Sequence, residues 1–201
     1  MRVLTHMRVR LVAAAILVAL AAMPAYTQVT VFTAALNGAN ERPTPTGSPA
    51  TGSATVTLDE ALNTLLVNET FSGLIGGVAT GAHIHCCAPA TGTAGVAVDF
   101  GPNGFPLGST SGFYSHLFDL LNTISYSAGF LASQGGSVVT ARNTVVAGMR
   151  AGNTYANIHD AQFPAGEIRG QLVATPEPET MGLLALGLVG LAGMLARRRQ
   201  A

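Results

Sequence analysis

Two apolar runs stand near the two ends of the chain, and each lies beside a cluster of arginines. The first run, Leu11–Ala22, follows three arginines and leads into the small residues of Ala21–Ala25. A basic start, a short apolar core and a small-residue cleavage region are the three parts of a secretory signal peptide. We therefore predict a signal peptide over residues 1–25 and export of the remaining chain. The arginines are Arg2, Arg8 and Arg10.

The second apolar run, Met181–Ala196, contains no charged residue and is followed by a basic cluster. At about 1.5 Å per residue it falls slightly short of a roughly 30 Å hydrocarbon core, and an arginine that reaches the headgroups closes the gap. Because basic residues resist translocation, we predict a transmembrane helix over residues 181–196 with its arginines in the cytoplasm. The flanking residues are Pro176, Glu177 and Pro178 before it and Arg197, Arg198 and Arg199 after it.

Between these ends, residues 26–175 form one domain in which β-favouring segments alternate with turns. Ala54–Leu58 alternates between apolar and polar residues, which places Ala54, Val56 and Leu58 on one face of a strand. Asn37-Gly38 is a turn signal, and the proline-rich segment Glu41–Thr51 is predicted to be a loop. The predicted strands are Val29–Leu36, Ala54–Leu58, Thr64–Leu74, Gly81–His85, Gly95–Phe100, Phe113–Leu120, Tyr155–His159 and Glu167–Val173.

Two further segments, Ser125–Ser133 and Ala141–Ala151, have the apolar spacing of helices, and Gly152 marks the end of the second. Several short strands at turn-rich spacing, joined by one or two helices, are typical of an antiparallel β-sandwich. The pattern therefore predicts an all-β domain with short connecting helices.

Charge and motif content exclude several classes of function. The domain contains four arginines, eight acidic residues and no lysine, so it offers no basic patch for nucleic acid. A nucleophile elbow and a phosphate-binding loop are both missing from the sequence. We therefore expect a protein that is not an enzyme.

The strongest candidate for metal chemistry is His83-Ile84-His85. Alternate side chains of a strand share a face, so the two imidazoles would point the same way and could chelate copper or zinc. A third ligand, His159, is available on a later strand, with Asp160 to orient its ring. His116 is a further candidate. The alternative is that the imidazoles only form hydrogen bonds with loop backbones and hold the edge of the sandwich.

The adjacent pair Cys86-Cys87 admits three interpretations. Consecutive Cα atoms lie about 3.8 Å apart, below the usual range of roughly 4.4–6.8 Å across a disulfide, so a bridge between them would be strained. Free exposed thiols nevertheless rarely persist in the oxidising environment that export implies. A vicinal disulfide that stiffens the turn is the preferred interpretation. Bonds to other chains and metal ligation remain open, and a thiolate ligand would favour Cu(I) or zinc.

The C-terminal segment, residues 176–201, resembles the PEP-CTERM sorting signal of Gram-negative bacteria. The resemblance includes every part of that signal: the Pro-Glu-Pro motif, the short apolar helix and the terminal arginines. It implies that an exosortase-type protease recognises and cuts the protein at the inner membrane. The mature protein would then reach the cell surface or the extracellular exopolysaccharide.

Residues 26–175 resemble the chordin-type (CHRD) domain in three motifs. An asparagine-x-histidine strand leads through a Pro-Gly turn into a Gly-Glu-Ile-Arg-Gly-Gln-Leu strand, and an earlier histidine motif and an opening Leu-Asn-Gly segment also match. The resemblance implies an immunoglobulin-like or superoxide-dismutase-like sandwich without an established catalytic activity. The motifs are Leu36–Glu41, Ala82–His85, Asn157–His159 and Gly166–Leu172.

Two hypotheses for the function follow. The first is a non-catalytic surface or extracellular-matrix protein that mediates adhesion or associates with exopolysaccharide or a surface protein. The second is a copper- or zinc-binding sandwich, redox active or not, that uses His83, His85 and His159. In both cases Glu167 and Arg169 share one face of the last strand and are expected to form an exposed ion pair worth roughly 0–1 kcal/mol.

Overall fold

Nine β-strands carry most of the structure, a computed structural model that describes residues 29–176 and Gly187. Two α-helices, α1 (Ala128–Ser133) and α2 (Val138–Arg150), connect the sixth strand to the seventh. The predicted all-β class is therefore confirmed. The strands are β1 (Val29–Asn37), β2 (Thr51–Asp59), β3 (Thr64–Ser72), β4 (Ala79–Cys86), β5 (Val96–Asp99), β6 (Gly112–Asp119), β7 (Thr154–Asp160), β8 (Ile168–Gln171) and β9 (Val173–Ala174).

Both predicted targeting segments lie outside the described residues. This holds for the signal peptide over residues 1–25 and, Gly187 apart, for the helix over residues 181–196. Within the part of the chain that the structure describes, no helix combines the length and the hydropathy needed to cross a membrane. Outside the described residues lie also Glu177, Pro178, Arg197, Arg198 and Arg199.

The strands form one curled antiparallel sheet in the order β5-β4-β7-β8-β1-β2-β3-β6. Within the second half of this path the ladders are long, and β1 pairs with β2 along the whole length of both strands. Between β8 and β1, by contrast, the only paired residues are Asn37 and Arg169. The path therefore consists of two four-stranded halves that meet at one narrow corner, and its curl produces the predicted sandwich.

The core lies between the inner faces of the strands, where every second residue is buried. On β2 these residues are Ala54, Val56 and Leu58, so the predicted face of this strand is confirmed. Burial of such side chains is the main favourable term in folding, at about 25 cal/mol per Å² of apolar surface. Fully buried members of the core from both halves are Phe32, Leu65, Val67, Ile84, Val98, Phe100, Ile158 and Ile168.

The strands β4 and β7 carry a second layer of buried side chains on their outer face. Their inner face is apolar, with Ile84 on β4 and Ile158 on β7. Their outer face instead carries histidine, tyrosine and asparagine side chains. Three loops cover this face through hydrogen bonds: the proline-rich loop after β1, the β4–β5 connection and the β7–β8 turn. The outer face of these two strands is therefore where buried polar chemistry collects.

Most elements begin or end a few residues from their predicted bounds, and helix α1 begins at Ala128 rather than at Ser125. Two of these differences have a clear physical cause. The predicted strand Glu167–Val173 is two strands, because the chain changes partner at Leu172: β8 pairs with β7, whereas β9 pairs with β1. Helix α2 begins three residues earlier than predicted, since the hydroxyl of Ser137 accepts a hydrogen bond from the backbone N–H of Thr140. Such a cap satisfies one of the unpaired donors at a helix start.

Candidate metal centre

Strand register brings three histidines together on the outer face of β4 and β7. His83 lies opposite Asn157, His85 lies opposite Tyr155, and His159 lies opposite Gly81. Because Gly81 has no side chain, the ring of His83 can lean along the strand towards His159. A Cβ added at Gly81 would lie only 2.9 Å from Cε1 of His83. The glycine therefore makes room for the cluster.

The three imidazoles are close enough to share one ion. One ring nitrogen from each of His83, His85 and His159 lies within 4.8 Å of the other two. The ring centroids are 4.8 Å apart for His83 and His159, 5.6 Å apart for His83 and His85, and 5.8 Å apart for His85 and His159. No other group of three or more potential metal ligands occurs among the described residues.

Each imidazole has one nitrogen in contact with an oxygen and one buried nitrogen without a partner. Nδ1 of His85 lies 2.9 Å from the carbonyl oxygen of Ala94, and Nδ1 of His159 lies 3.0 Å from that of Pro164. A carbonyl only accepts, so both Nδ1 atoms carry the ring proton. This leaves the lone pair on Nε2, and neither Nε2 has a hydrogen-bond partner among the described residues.

His83 has the opposite arrangement. Its Nε2 lies 3.5 Å from Oδ1 of Asp99 on the neighbouring strand β5, and its Nδ1 is buried without a partner. A carboxylate that holds one nitrogen of a histidine fixes the tautomer and leaves the other nitrogen free for a metal. The cluster therefore presents three free nitrogens: Nδ1 of His83 and Nε2 of His85 and His159.

Burial keeps these imidazoles neutral. It lowers the pKa of His83 to about 4, with the neighbouring His159 adding to the effect. Burial also lowers the pKa of His85 to about 3, although the hydrogen bond to Ala94 opposes the shift. The pKa of His159 is lowered for the same reason. Neutral imidazole is the form that binds metal ions, so no proton has to leave these rings near neutral pH.

Stacked side chains hold His85 in place. Its ring lies parallel to that of Tyr155, with centroids 4.6 Å apart. The guanidinium carbon of Arg169 in turn lies over the Tyr155 ring, 3.4 Å from its centroid. The hydroxyl of Tyr155 contacts the same residue, Ala94, that bonds to His85. Burial raises the pKa of Glu41 to about 7, although the charge of Arg169 acts in the opposite direction. The carboxyl group of Glu41 accepts a hydrogen bond from the side-chain amide of Asn157 on the same face.

A family model described as CHRD domain matches residues 32–172, well over half of the chain. The chain belongs to the CHRD domain family. A second model, described as PEP-CTERM protein-sorting motif, matches residues 174–200 of this CHRD protein. No curated protein and no solved structure matches the chain. The sorting motif implies export, passage through the membrane and processing by an exosortase-type system.

Two further residues proposed for the metal site of the CHRD domain lie elsewhere. Asp160 does not orient His159, because its Oδ1 accepts hydrogen bonds from the backbone N–H groups of Gln162 and Phe163. His116 lies on β6, at the far end of the strand order, where its ring packs edge-on against Phe118. Neither residue belongs to the histidine cluster.

The cysteines face away from the histidines. Cys86 and Cys87 are bonded to each other, and both sulfurs lie against the carbonyl oxygen of Thr144 on α2. Because Cys86 follows Ile84 on the inner face of β4, its side chain points to the opposite side from His83 and His85. The sulfur atoms are therefore not part of the histidine cluster.

The expected ion pair between Glu167 and Arg169 is wrong, and neither residue is exposed. The carboxylate of Glu167 accepts hydrogen bonds from the backbone N–H groups of Ile75 and Gly76 and from the hydroxyl of Ser48. Arg169 instead stacks on Tyr155. The family motif thus places two charged side chains in separate buried settings, where one holds a loop and the other supports the histidine cluster.

Two residues that the sequence did not single out complete the site. Asp99 reaches His83 because β5 pairs with β4 at this position, and Tyr155 reaches His85 across the β4–β7 ladder. Both contacts depend on which strands are neighbours, and no local pattern encodes that. For Gly81 the sequence offers a signal that was not used, since a glycine two residues before a histidine on a strand lies on the same face.

Proposed function

We propose that this exported CHRD protein binds one zinc or copper ion through His83, His85 and His159. The observation that carries the proposal is the approach of three imidazoles, in which one nitrogen from each ring lies within 4.8 Å of the other two. Each ring also has one buried nitrogen without a hydrogen-bond partner. Buried polar atoms normally have partners, so three adjacent exceptions call for an explanation. A shared cation satisfies all three at once.

The geometry requires a modest closure of the cluster. Zinc–nitrogen bonds of roughly 2.0–2.1 Å place two ligand nitrogens about 3.3–3.6 Å apart. The widest separation in the cluster would therefore shrink by about 1.3 Å. Small rotations of the rings supply this movement, and the hydrogen bonds to Ala94 and Pro164 persist because they use the opposite nitrogens.

The donor set favours zinc and copper over other metals. Neutral imidazoles suit these ions, whereas magnesium and calcium prefer oxygen ligands. Sulfur does not contribute, since the two cysteines are bonded to each other on the other side of β4. The site is thus a three-nitrogen site, with Asp99 as the carboxylate that supports one ligand.

The role that fits this site best is structural rather than catalytic. The free nitrogens are shielded from solvent, so an ion there would join β4 to β7 and, through Ala94 and Pro164, fix the two covering loops. The sorting motif supports a place of action at the cell surface. There the domain would act as a stable, non-catalytic binding module for exopolysaccharide or a surface protein.

Histidine-to-asparagine variants test the proposal while preserving the loops. The asparagine amide can replace Nδ1–H as a donor, but it offers nothing at the position of Nε2. We expect the chelator-treated exported protein to take up one zinc or copper ion per chain. In His85→Asn and His159→Asn the affinity should fall at least about a hundredfold, because removing a ligand costs more than removing its support.

The matched control is His116→Asn, which changes a histidine outside the cluster and should bind the ion with unchanged affinity. Circular dichroism of each variant establishes that the fold is retained. A wild-type protein that takes up no ion would refute the proposal. So would an ion whose affinity is the same in the wild type and in both cluster variants.

A further inference from the structure

The two ends of the sheet differ in how their outer edges are covered. At one end, β5 has only four residues and is covered by Ser127. The backbone N–H of Ser127 donates to the carbonyl oxygen of Ala97, and its hydroxyl donates to the carbonyl oxygen of Val96. At the other end, β6 has eight residues and pairs with β3. Within residues 29–176, the backbone of residues 113–118 forms hydrogen bonds with β3 and with no other segment. Among the described residues, nothing therefore pairs with the outer edge of β6.

The side chains of β6 do not protect this edge. Strand edges are commonly blocked by charged residues, prolines or bulges, because a row of unpaired N–H and C=O groups accepts another strand. Residues 112–118 contain no acidic residue, no lysine or arginine and no proline, and the ladder to β3 is free of bulges. On the outer face Phe113 is 64% exposed and Leu117 is 59% exposed.

The exposed residues of β6 are complementary to a second β6 strand. In an antiparallel pair with its twofold axis at Ser115, Phe113 lies opposite Leu117 of the second copy and Ser115 lies opposite its equivalent. Asp119 then lies opposite Ser111, which keeps the two carboxylates apart. Moving the axis to His116 would place Phe113 opposite Asp119 instead. The axis at Ser115 is the register that pairs both apolar residues.

We infer that a second copy of this chain adds to the sheet at β6 and forms a twofold-symmetric dimer. The main-chain groups of residues 113–118 provide the hydrogen bonds, and the pairs between Phe113 and Leu117 provide apolar contact on the outer face. The two sheets then form one continuous sheet across the interface, and the interface is isologous, as in most dimers. This inference concerns the opposite end of the strand order from the histidine cluster and does not depend on metal.

Cysteine substitutions test the register of the pair. At the axis, the two Cβ atoms of a Ser115→Cys protein would lie about 4.5–5.5 Å apart, close enough for a disulfide after side-chain adjustment. The two Cβ atoms of a Phe113→Cys protein would lie about 13 Å apart, four residues along the strand. We expect the exported Ser115→Cys protein to form a covalent dimer in air, at a yield at least tenfold above that of Phe113→Cys.

Sedimentation of the exported protein provides the second measurement. The wild type should sediment as a dimer, and Leu117→Lys should shift it to a monomer because a charge at the edge blocks strand addition. The control is Val173→Lys on β9, where the side chain is 60% exposed and the dimer should persist. A monomeric wild type would overturn the inference. In that case the edge either stays unpaired or receives a strand from another protein. Equal cross-linking of the two cysteine variants would also overturn it.

Discussion

Glu69 lies in the middle of the apolar row of β3, between Val67 and Phe71. Its side chain is completely buried, and neither carboxyl oxygen has a hydrogen-bond partner among the described residues. Burial raises the pKa of this carboxyl from 4.5 to about 8. The folded protein therefore holds Glu69 in its protonated, neutral form at neutral pH.

This residue should make the fold less stable as the pH rises. Below pH 4.5 the carboxyl is protonated in both states, whereas between 4.5 and 8 it ionises in the unfolded chain only. The free energy of unfolding therefore falls with rising pH, by about 3 kcal/mol between pH 4 and 7 from this group alone. In Glu69→Gln the side chain cannot ionise, so this part of the pH dependence should disappear.

Urea unfolding of the wild type and of Glu69→Gln, at several pH values and with a metal chelator present, measures the difference. Other groups titrate equally in both proteins and cancel. The control is Thr70→Gln, an exposed position on the same strand where the change adds and removes no ionisable group, so the pH dependence should stay that of the wild type. Parallel stability curves for the wild type and Glu69→Gln would contradict the assignment.

At the scale of residues, the sequence indicates which side chains share a face but not what lies beside them. The spacing of His83 and His85 follows from the two-residue period of a strand, and the same period places Glu69 on the buried face of β3. The contact between His83 and Asp99 and the stack of His85 on Tyr155 depend instead on strand order and register. Those are set by packing of the whole sheet.

At the scale of elements, helix α2 packs against the cysteine pair through a glycine. A Cβ added at Gly148 would lie 2.6 Å from the sulfur of Cys86 and 2.6 Å from that of Cys87. A glycine in a helix interior costs about 1 kcal/mol relative to alanine. The close approach of the bonded sulfurs gives the physical reason for this glycine.

Gly148→Ala should therefore destabilise the fold, although the same change usually stabilises a helix. We expect a loss of about 1–3 kcal/mol from overpacking. In a protein that also carries Cys86→Ala and Cys87→Ala the sulfurs are gone, and Gly148→Ala should become neutral or stabilising. The double-mutant cycle from urea unfolding isolates this coupling.

Gly129 on α1 is the matched control for this prediction. Nothing lies within 4 Å of a Cβ added there, so Gly129→Ala should not lower the stability of either background. A stabilising effect of Gly148→Ala in the disulfide-bonded protein would contradict the proposed packing.

The elements themselves followed well from local patterns. The alternation in β2 needs only neighbouring residues, and this prediction is confirmed. The division of Glu167–Val173 into β8 and β9 did not follow, because the change of partner at Leu172 depends on β1, which is distant in the sequence. The buried settings of Glu167 and Arg169 were missed for the same reason.

At the scale of the whole molecule, the family match and the sorting motif divide the chain into a β-domain and a C-terminal signal. Glu177 lies within the sorting motif, outside the described residues. We expect Glu177→Ala to leave the protein unprocessed and retained in the membrane, which fractionation and mass spectrometry of the C-terminus would measure. Normal release of this variant would contradict an exosortase-type route.

The central claim is that the CHRD domain holds one ion between β4 and β7. An anomalous difference map, recorded at the absorption edge of zinc or copper from crystals of the exported protein grown with that ion, tests it most directly. The account predicts one peak roughly 2.0–2.1 Å from Nδ1 of His83 and from Nε2 of His85 and His159. A map without a peak at these three nitrogens would contradict it.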